Sequence, residues 1–137
     1  MKMIEVVAAI IERDGKILLA QRPAQSDQAG LWEFAGGKVE PDEDIEHSAY
    51  RELLEETGIS KADLVLTHIL DYFYPIDQVQ LNIYYGVLNK EVLLIEEKQP
   101  LVWFDVETNF MEDRFAGDGN TFHMVKCAQY YLNRSNA

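Results

Sequence analysis

Residues 36–59, GGKVEPDEDIEHSAYRELLEETGI, constrain this chain more than any other stretch, because they crowd three glutamates into the last turns of one short helix. Pro41 and Asp42 announce a helix start, good helix formers run on to Thr57, and Gly58 supplies a C-cap. Glu52, Glu55 and Glu56 recur at i, i+3 and i+4, which at about 100° per residue confines them to an arc of about 100°. Like charges so spaced destabilise a helix by about 0.2–0.5 kcal/mol per pair, and the helix dipole disfavours them again near the C-terminus. The helix therefore needs positive charge against that face. Converging hard oxygen donors select Mg²⁺ or Mn²⁺, and Mg²⁺ keeps waters while it bridges carboxylate to phosphate. A solvated acidic face is the alternative. Ahead of the helix, Gly36-Gly37 lacks Cβ atoms, so a loop carbonyl there can reach a cation closely.

The flanking segments supply a sheet. Apolar, β-branched runs from Met3 to Glu12 and from Lys16 to Arg22 are joined by Arg13-Asp14-Gly15, which has the chemistry of a hairpin turn. Leu64 to Tyr74 and Gln78 to Leu88 read as two further strands, and Leu101 to Phe104 as a shorter one. Phe122, Val125, Ala128/Gln129 and Leu132 are spaced as on a closing helix over residues 121–132. Strands, a helix, more strands and a last helix predict an α/β fold, a mixed β-sheet flanked by helices. With no repeat or linker to divide the chain, residues 1–137 are expected to form a single domain.

Charge narrows the partners. Twelve basic residues against 24 acidic ones give a formal net charge of −12, the wrong sign for neutralising the phosphates of a nucleic-acid polymer. An anionic small substrate remains compatible where cations gather on a carboxylate cluster. The sequence shows neither a secretory leader nor an apolar run of membrane length, and its lone Cys127 cannot form an intramolecular disulfide, so a cytoplasmic location without membrane attachment is expected.

Residues 37–59 fit the pattern G x5 E x7 REUxEExGU, where U is a bulky apolar residue, at all nine specified positions. Through them the chain resembles the Nudix (MutT-like) hydrolases. The resemblance implies an α/β/α sandwich in which this box forms a loop–helix–loop and its glutamates hold divalent cations against a diphosphate. Carried over residue by residue, Glu55 and Glu56 become side-chain metal ligands and Gly36 a carbonyl ligand. Glu52 becomes either a further ligand or the base that activates water. Arg51 orients the glutamates through charge-assisted hydrogen bonds, and Glu43 braces the loop against the helix.

The likeness extends upstream. Leu31-Trp32-Glu33-Phe34-Ala35-Gly36-Gly37 resembles the approach to the box in the MutT-like and CTP pyrophosphohydrolase branches, which makes Glu33, Phe34, Ala35 and Gly36 candidate substrate contacts. Ala35 stands where most relatives carry proline, and residues 1–43 look closest to the CTP pyrophosphohydrolase branch. The counterpart of Arg22 contacts the nucleotide in such enzymes; a surface ion pair is its alternative role. Glu97 resembles the position of one more metal-binding carboxylate, with Glu96 as the competing choice, and Val102 stands where MutT-like enzymes carry an acid. Asn120 lies near the place of a base-reading asparagine, and is equally suited to cap the last helix. One of Tyr72, Phe73, Tyr74, Tyr84 and Tyr85 could stack on a base, whereas His47, His68, His123 and Cys127 read as structural.

The resemblance implies hydrolysis of a nucleoside triphosphate to the monophosphate and pyrophosphate with Mg²⁺ or Mn²⁺. A cytidine nucleotide or an oxidised one such as 8-oxo-dGTP would be the substrate, and nucleotide-pool sanitation the purpose. ADP-ribose or a sugar nucleotide is an alternative substrate, and a non-catalytic Nudix-fold regulatory module an alternative role. Retention of every box glutamate argues against the module.

Overall fold

A computed structural model describes residues 3–25, 29–96, 98–108 and 114–115. Strand β1 (Ile4–Arg13) and strand β2 (Lys16–Gln21) form the expected hairpin, with Asp14 and Gly15 both at positive φ, 51° and 77°, as a two-residue turn that follows the strand twist requires. The two strands then part, since their Cα register holds only at Glu12↔Ile17 and Arg13↔Lys16. Into the fork run β3 (Trp32–Glu33), paired to β2, and β4 (Ala35–Lys38), paired to β1 from Val6↔Lys38 to Ala9↔Ala35. The sequence reading had no strand here. Its signal is masked by two glycines, which are poor strand formers chosen for what lies against them.

Strands β5 (Thr67–Tyr74), β6 (Val79–Val87) and β7 (Leu101–Asp105) complete a seven-stranded sheet. β6 runs parallel to β1 along Ile4–Glu12, β5 pairs antiparallel to β6, and β7 pairs antiparallel to β2 on its outer side. The sheet is mixed, as expected. β5 begins at Thr67 and not at Leu64; Leu64 and Leu66 instead bury their side chains in the core, with the Leu66 N–H donating to the Tyr50 hydroxyl at 2.8 Å.

β1 is buried on both faces, and its alternation defines two layers. Val7, Ala9 and Ile11 point to one side with Leu18, Ala20, Tyr84 and Leu101; Ala8 and Ile10 point to the other with Ile17, Leu19, Phe34 and Ile83. Helix α1 (Ile45–Thr57) covers the first side with Ala49 and Leu53, which repeat at i, i+4. Full burial of Leu53 and of Ile59 just beyond the helix is worth about 1.5–3 kcal/mol each. Consequently Glu52 and Glu56, which flank this apolar stripe, are carried against β4.

The helix starts at Ile45, with Asp44 as N-cap, and not at Pro41. Asp42 takes φ 65° and the Glu43 N–H donates to the Glu40 carbonyl at 3.1 Å, so Pro41-Asp42 forms a tight turn that precedes the helix. Its end is as read from sequence: Gly58 is left-handed at φ 84° and donates its N–H to the Leu54 carbonyl at 3.0 Å. The expected closing helix lies outside the described residues. Among those described, no helix is long and apolar enough to cross a membrane.

Candidate active site

Gly36 and Gly37 lie in β4 and not in a loop, and the two glycines answer to different neighbours. A Cβ on Gly36 would sit 2.0 Å from the Val7 carbonyl oxygen, so the close passage of β4 over β1 requires glycine there. A Cβ on Gly37 would sit 2.6 Å from both Cδ and Oε1 of Glu52. The missing side chain is thus the space that the Glu52 carboxylate occupies. The Gly36 N–H donates to Oε2 of Glu56 at 2.7 Å, which ties the helix to β4 through a second glutamate.

Arg51 collects the other carboxylates. Its Nε and Nη2 donate to the two oxygens of Glu43 at 2.6 and 3.0 Å, a fork-on-fork pair, and Nη2 also donates to the Lys38 carbonyl at 3.1 Å. Nη1 donates to Glu52 at 3.0 Å and to Glu55 at 3.3 Å. Glu43 accepts the Glu40 N–H at 3.0 Å as well, so it clamps the turn before the helix to the arginine on the helix. The Arg51 hydrogen bond lowers the Glu43 pKa to about 2, and Glu43 in turn raises that of Arg51.

The remaining glutamates are poised differently. Burial pushes Glu56 up to about 8, with the charges of Glu52 and Glu33 adding to the rise, while the Gly36 N–H and Lys98 oppose it. Burial also raises Glu52, against the pull of Arg51. Among the described residues no three His, Cys, Asp or Glu side chains converge as a ready-made metal cage. The reason is visible in the bonding: Glu52 and Glu55 turn to Arg51, and Glu56 to the β4 backbone.

Upstream, Arg22 donates from Nη1 to Glu33 at 2.7 Å across the β2–β3 pair, and the same Glu33 is the carboxylate that acts on Glu56. The fork therefore brings Arg22 and Glu33 to the end of the helix where Glu56 lies. Phe34 and Ala35 are buried on opposite faces of the sheet, in the two cores. Glu96 accepts the Leu101 N–H at 3.1 Å and so starts β7. Glu97 and Asn120 lie outside the described residues. Tyr84 and Tyr85 are buried, Tyr72 packs at a tilt against Tyr74 with centroids 4.8 Å apart, and His68 meets Asp71 at 2.6 Å. Sequence reasoning missed Lys98, whose field reaches Glu56, because no motif marks it.

The chain is 56% identical over 109 residues to the CTP pyrophosphohydrolase of Escherichia coli (strain K12), an alignment that covers 78% of this chain and 79% of that protein. It is 33% identical over 84 residues to the 8-oxo-dGTP diphosphatase of Proteus vulgaris, covering 61% of this chain and 75% of the relative. In three dimensions it superposes on the solution structure of the E. coli ORF135 protein with a TM-score of 0.71 at 42% identity, over 95% of this chain and 91% of that one. Residues 1–123 match the NUDIX domain family. With the box glutamates, the forked sheet and the covering helix all in place, the chain belongs to the NUDIX family.

Proposed function

We propose that this chain hydrolyses nucleoside triphosphates, cytidine triphosphates foremost, to the monophosphate and pyrophosphate with Mg²⁺ or Mn²⁺, and so sanitises the cytoplasmic nucleotide pool. The observation that carries the reading is the gathering of Glu52 and Glu56 against the glycine strand β4, with Glu55 joined to Glu52 through Arg51. Its donors are all hard oxygens, and Glu56 is buried with a backbone N–H as its hydrogen-bond donor. Such a site fits a divalent cation, with the three glutamates and the Gly36 carbonyl as its protein ligands. Glu97, outside the described residues, is the further carboxylate that the family resemblance implies for the cation. When bound, the cation would neutralise phosphate charge and lower the pKa of a coordinated water.

The chain's own residues do the rest. Arg51, anchored on Glu43, restrains Glu52 and Glu55 by one hydrogen bond each from Nη1. Arg22 exchanges part of its pairing with Glu33 for a phosphate oxygen, which a planar guanidinium binds in the same geometry as a carboxylate. Asn120, or an aromatic side chain, addresses the base. The resemblance to the E. coli CTP pyrophosphohydrolase supports cytidine, and the likeness to the Proteus vulgaris enzyme puts 8-oxo-dGTP second. Turnover of CTP, dCTP, dGTP, 8-oxo-dGTP and ADP-ribose with Mg²⁺ or Mn²⁺, scored for pyrophosphate against orthophosphate, tests the reading. Pyrophosphate release led by the cytidine nucleotides is expected; ADP-ribose as the sole good substrate would overturn it.

A further inference from the structure

The last turn of α1 carries Glu55 and Glu56 and ends at Thr57, where a helix leaves carbonyl groups without internal partners. Hydrogen bonds hold this end closed. The Gly58 N–H donates to the Leu54 carbonyl at 3.0 Å, the Thr57 hydroxyl donates to the Leu53 carbonyl at 2.7 Å, and the same hydroxyl accepts the Ile59 N–H at 3.1 Å. These bonds are local. A further one is not: the Thr57 carbonyl accepts the Ile95 N–H at 2.9 Å, from the irregular segment that leads to β7.

That segment is seated on the helix end. Val92 and Leu94 pack against the core on the α1 side, while Leu93 and Ile95 between and beyond them are exposed. Ile95 nevertheless has a defined place: a Cβ on Gly58 would meet its Cγ1 at 2.9 Å and its Cδ1 at 3.0 Å, with the Leu93 carbonyl oxygen at 3.4 Å. Gly58 thus leaves a notch besides supplying the positive φ of the cap, and the Ile95 side chain fills it. Backbone and side chain of one residue grip Thr57 and Gly58, the two residues that follow Glu56. Glu56 itself accepts the Gly36 N–H at 2.7 Å, and a helix end that opened would carry its carboxylate away from β4.

We propose that Ile95 is a positioning residue for the glutamate-bearing end of α1: seated over Gly58 and bonded to Thr57, it keeps the last turn closed and Glu56 against β4. It touches neither cation nor substrate. Its effect on the reaction rests on the hydrolytic reading above, whereas its hold on the helix end does not. The distinguishing consequence is that trimming a half-exposed isoleucine loosens a hydrogen bond it does not make, the one between Glu56 and the Gly36 N–H.

The test compares wild type with Ile95→Ala, with Ile95→Val as the conservative rescue, and with Gly58→Asn. Asparagine accepts a left-handed backbone, yet its Cβ must displace Ile95 from the notch. Amide hydrogen exchange of Gly36 is measured first, in metal-free protein, with amides of the β1–β6 pairing as reference. Mn²⁺ titration of the nucleotide-free protein follows, then KM and kcat for CTP with Mg²⁺. In Ile95→Ala the Gly36 amide should exchange roughly tenfold faster while the reference amides hold, and Ile95→Val should stay near wild type. Mn²⁺ affinity and kcat should each fall roughly tenfold, with KM within about twofold of wild type. Gly58→Asn should behave as Ile95→Ala does, and combining the two should cost little more than either alone. Should Ile95→Ala not fold, Gly58→Asn carries the same expectation. Gly36 exchange unchanged in these variants would overturn the proposal. So would wild-type Mn²⁺ affinity and kcat beside a lowered melting temperature, since Ile95 would then be packing alone. If wild type releases no pyrophosphate from any nucleotide, the hydrolytic reading fails by itself, and Gly36 exchange with Mn²⁺ affinity still decides the positioning role.

Discussion

Replacing Gly37 by alanine should disable the site while sparing the fold. Its new Cβ would lie 2.6 Å from the Glu52 Cδ, short of ordinary carbon–carbon contact at about 3.5–4.0 Å by about 1 Å. Backbone is not what it meets: the obstructing atoms are the far end of a flexible side chain, so Glu52 swings aside and the strand stays. Loss of its Arg51 hydrogen bond at 3.0 Å removes about 1 kcal/mol, and alanine recovers about 0.4–1 kcal/mol through the unfolded chain. The melting temperature should therefore move by only a few degrees. The carboxylate itself is displaced by about 1 Å, a misplacement that costs on the order of 10²-fold in rate.

Gly36→Ala supplies the contrast. There the Cβ would fall 2.0 Å from the backbone oxygen of Val7, in the middle of the β1–β4 pairing, and no rotamer change relieves it. That variant should lose several kcal/mol or fail to fold. Thermal melts followed by circular dichroism, with pyrophosphate release from CTP, separate the two. Gly37→Ala with wild-type turnover would refute the view that the glycine exists to seat Glu52. Equal melting temperatures in both variants would refute the argument from backbone overlap.

Glu56→Gln and Glu55→Gln should each lower turnover at least about 10²-fold with the fold intact by circular dichroism, and near wild-type rates in both would remove the case for a metal at these residues. Arg51→Lys should lose the forked pair with Glu43, lower the melting temperature and reduce kcat, because an ammonium cannot hold Glu43, Glu52 and the Lys38 carbonyl at once; an unchanged melting temperature would contradict this. The pH dependence follows from Glu56, whose folded pKa of about 8 stands above its ordinary 4.5. Its contribution to the stability of the metal-free protein is therefore present below about 4.5 and lost as pH rises through 8. Cation and proton compete for that carboxylate, so the melting-temperature gap between Mg²⁺ and chelator should widen from pH 5.5 to 8.5 and flatten in Glu56→Gln. A gap constant with pH in wild type would exclude Glu56 as the coupled group.

What could be read from the sequence was local. The i, i+3, i+4 glutamates, the Gly58 cap and the Asp14-Gly15 turn each depend on neighbours within a few residues, and all three stand where expected. The fork between β1 and β2 was not legible, because the pairing Ala8↔Gly36 joins residues remote in sequence and glycine carries no strand signal. For the same reason the glycine pair was read as a loop, although its neighbours are a strand carbonyl and a helix carboxylate. Pro41-Asp42 misled for a different cause: both residues favour helix starts and tight turns alike, and the Glu40–Glu43 hydrogen bond decided for the turn.

Arg51 explains how Glu52 and Glu55 sit side by side on one helix, while Glu56 is held separately by the Gly36 N–H. Two of its nitrogens, Nε and Nη2, are committed to Glu43 and to the Lys38 carbonyl, groups at the turn before the helix and at the end of β4. Only Nη1 reaches Glu52 and Glu55, at 3.0 and 3.3 Å. The guanidinium thus supplies the positive charge that like-charged neighbours one turn apart require, yet it does so through a single nitrogen. On the proposed reading, a cation arriving against Glu52, Glu55 and Glu56 takes over that compensation while Arg51 keeps its anchored fork. The arginine need not move, and the carboxylates turn about a post already in place. Little reorganisation is then demanded when phosphate charge enters the site, which is the condition under which fixed dipoles and charges contribute most to a reaction.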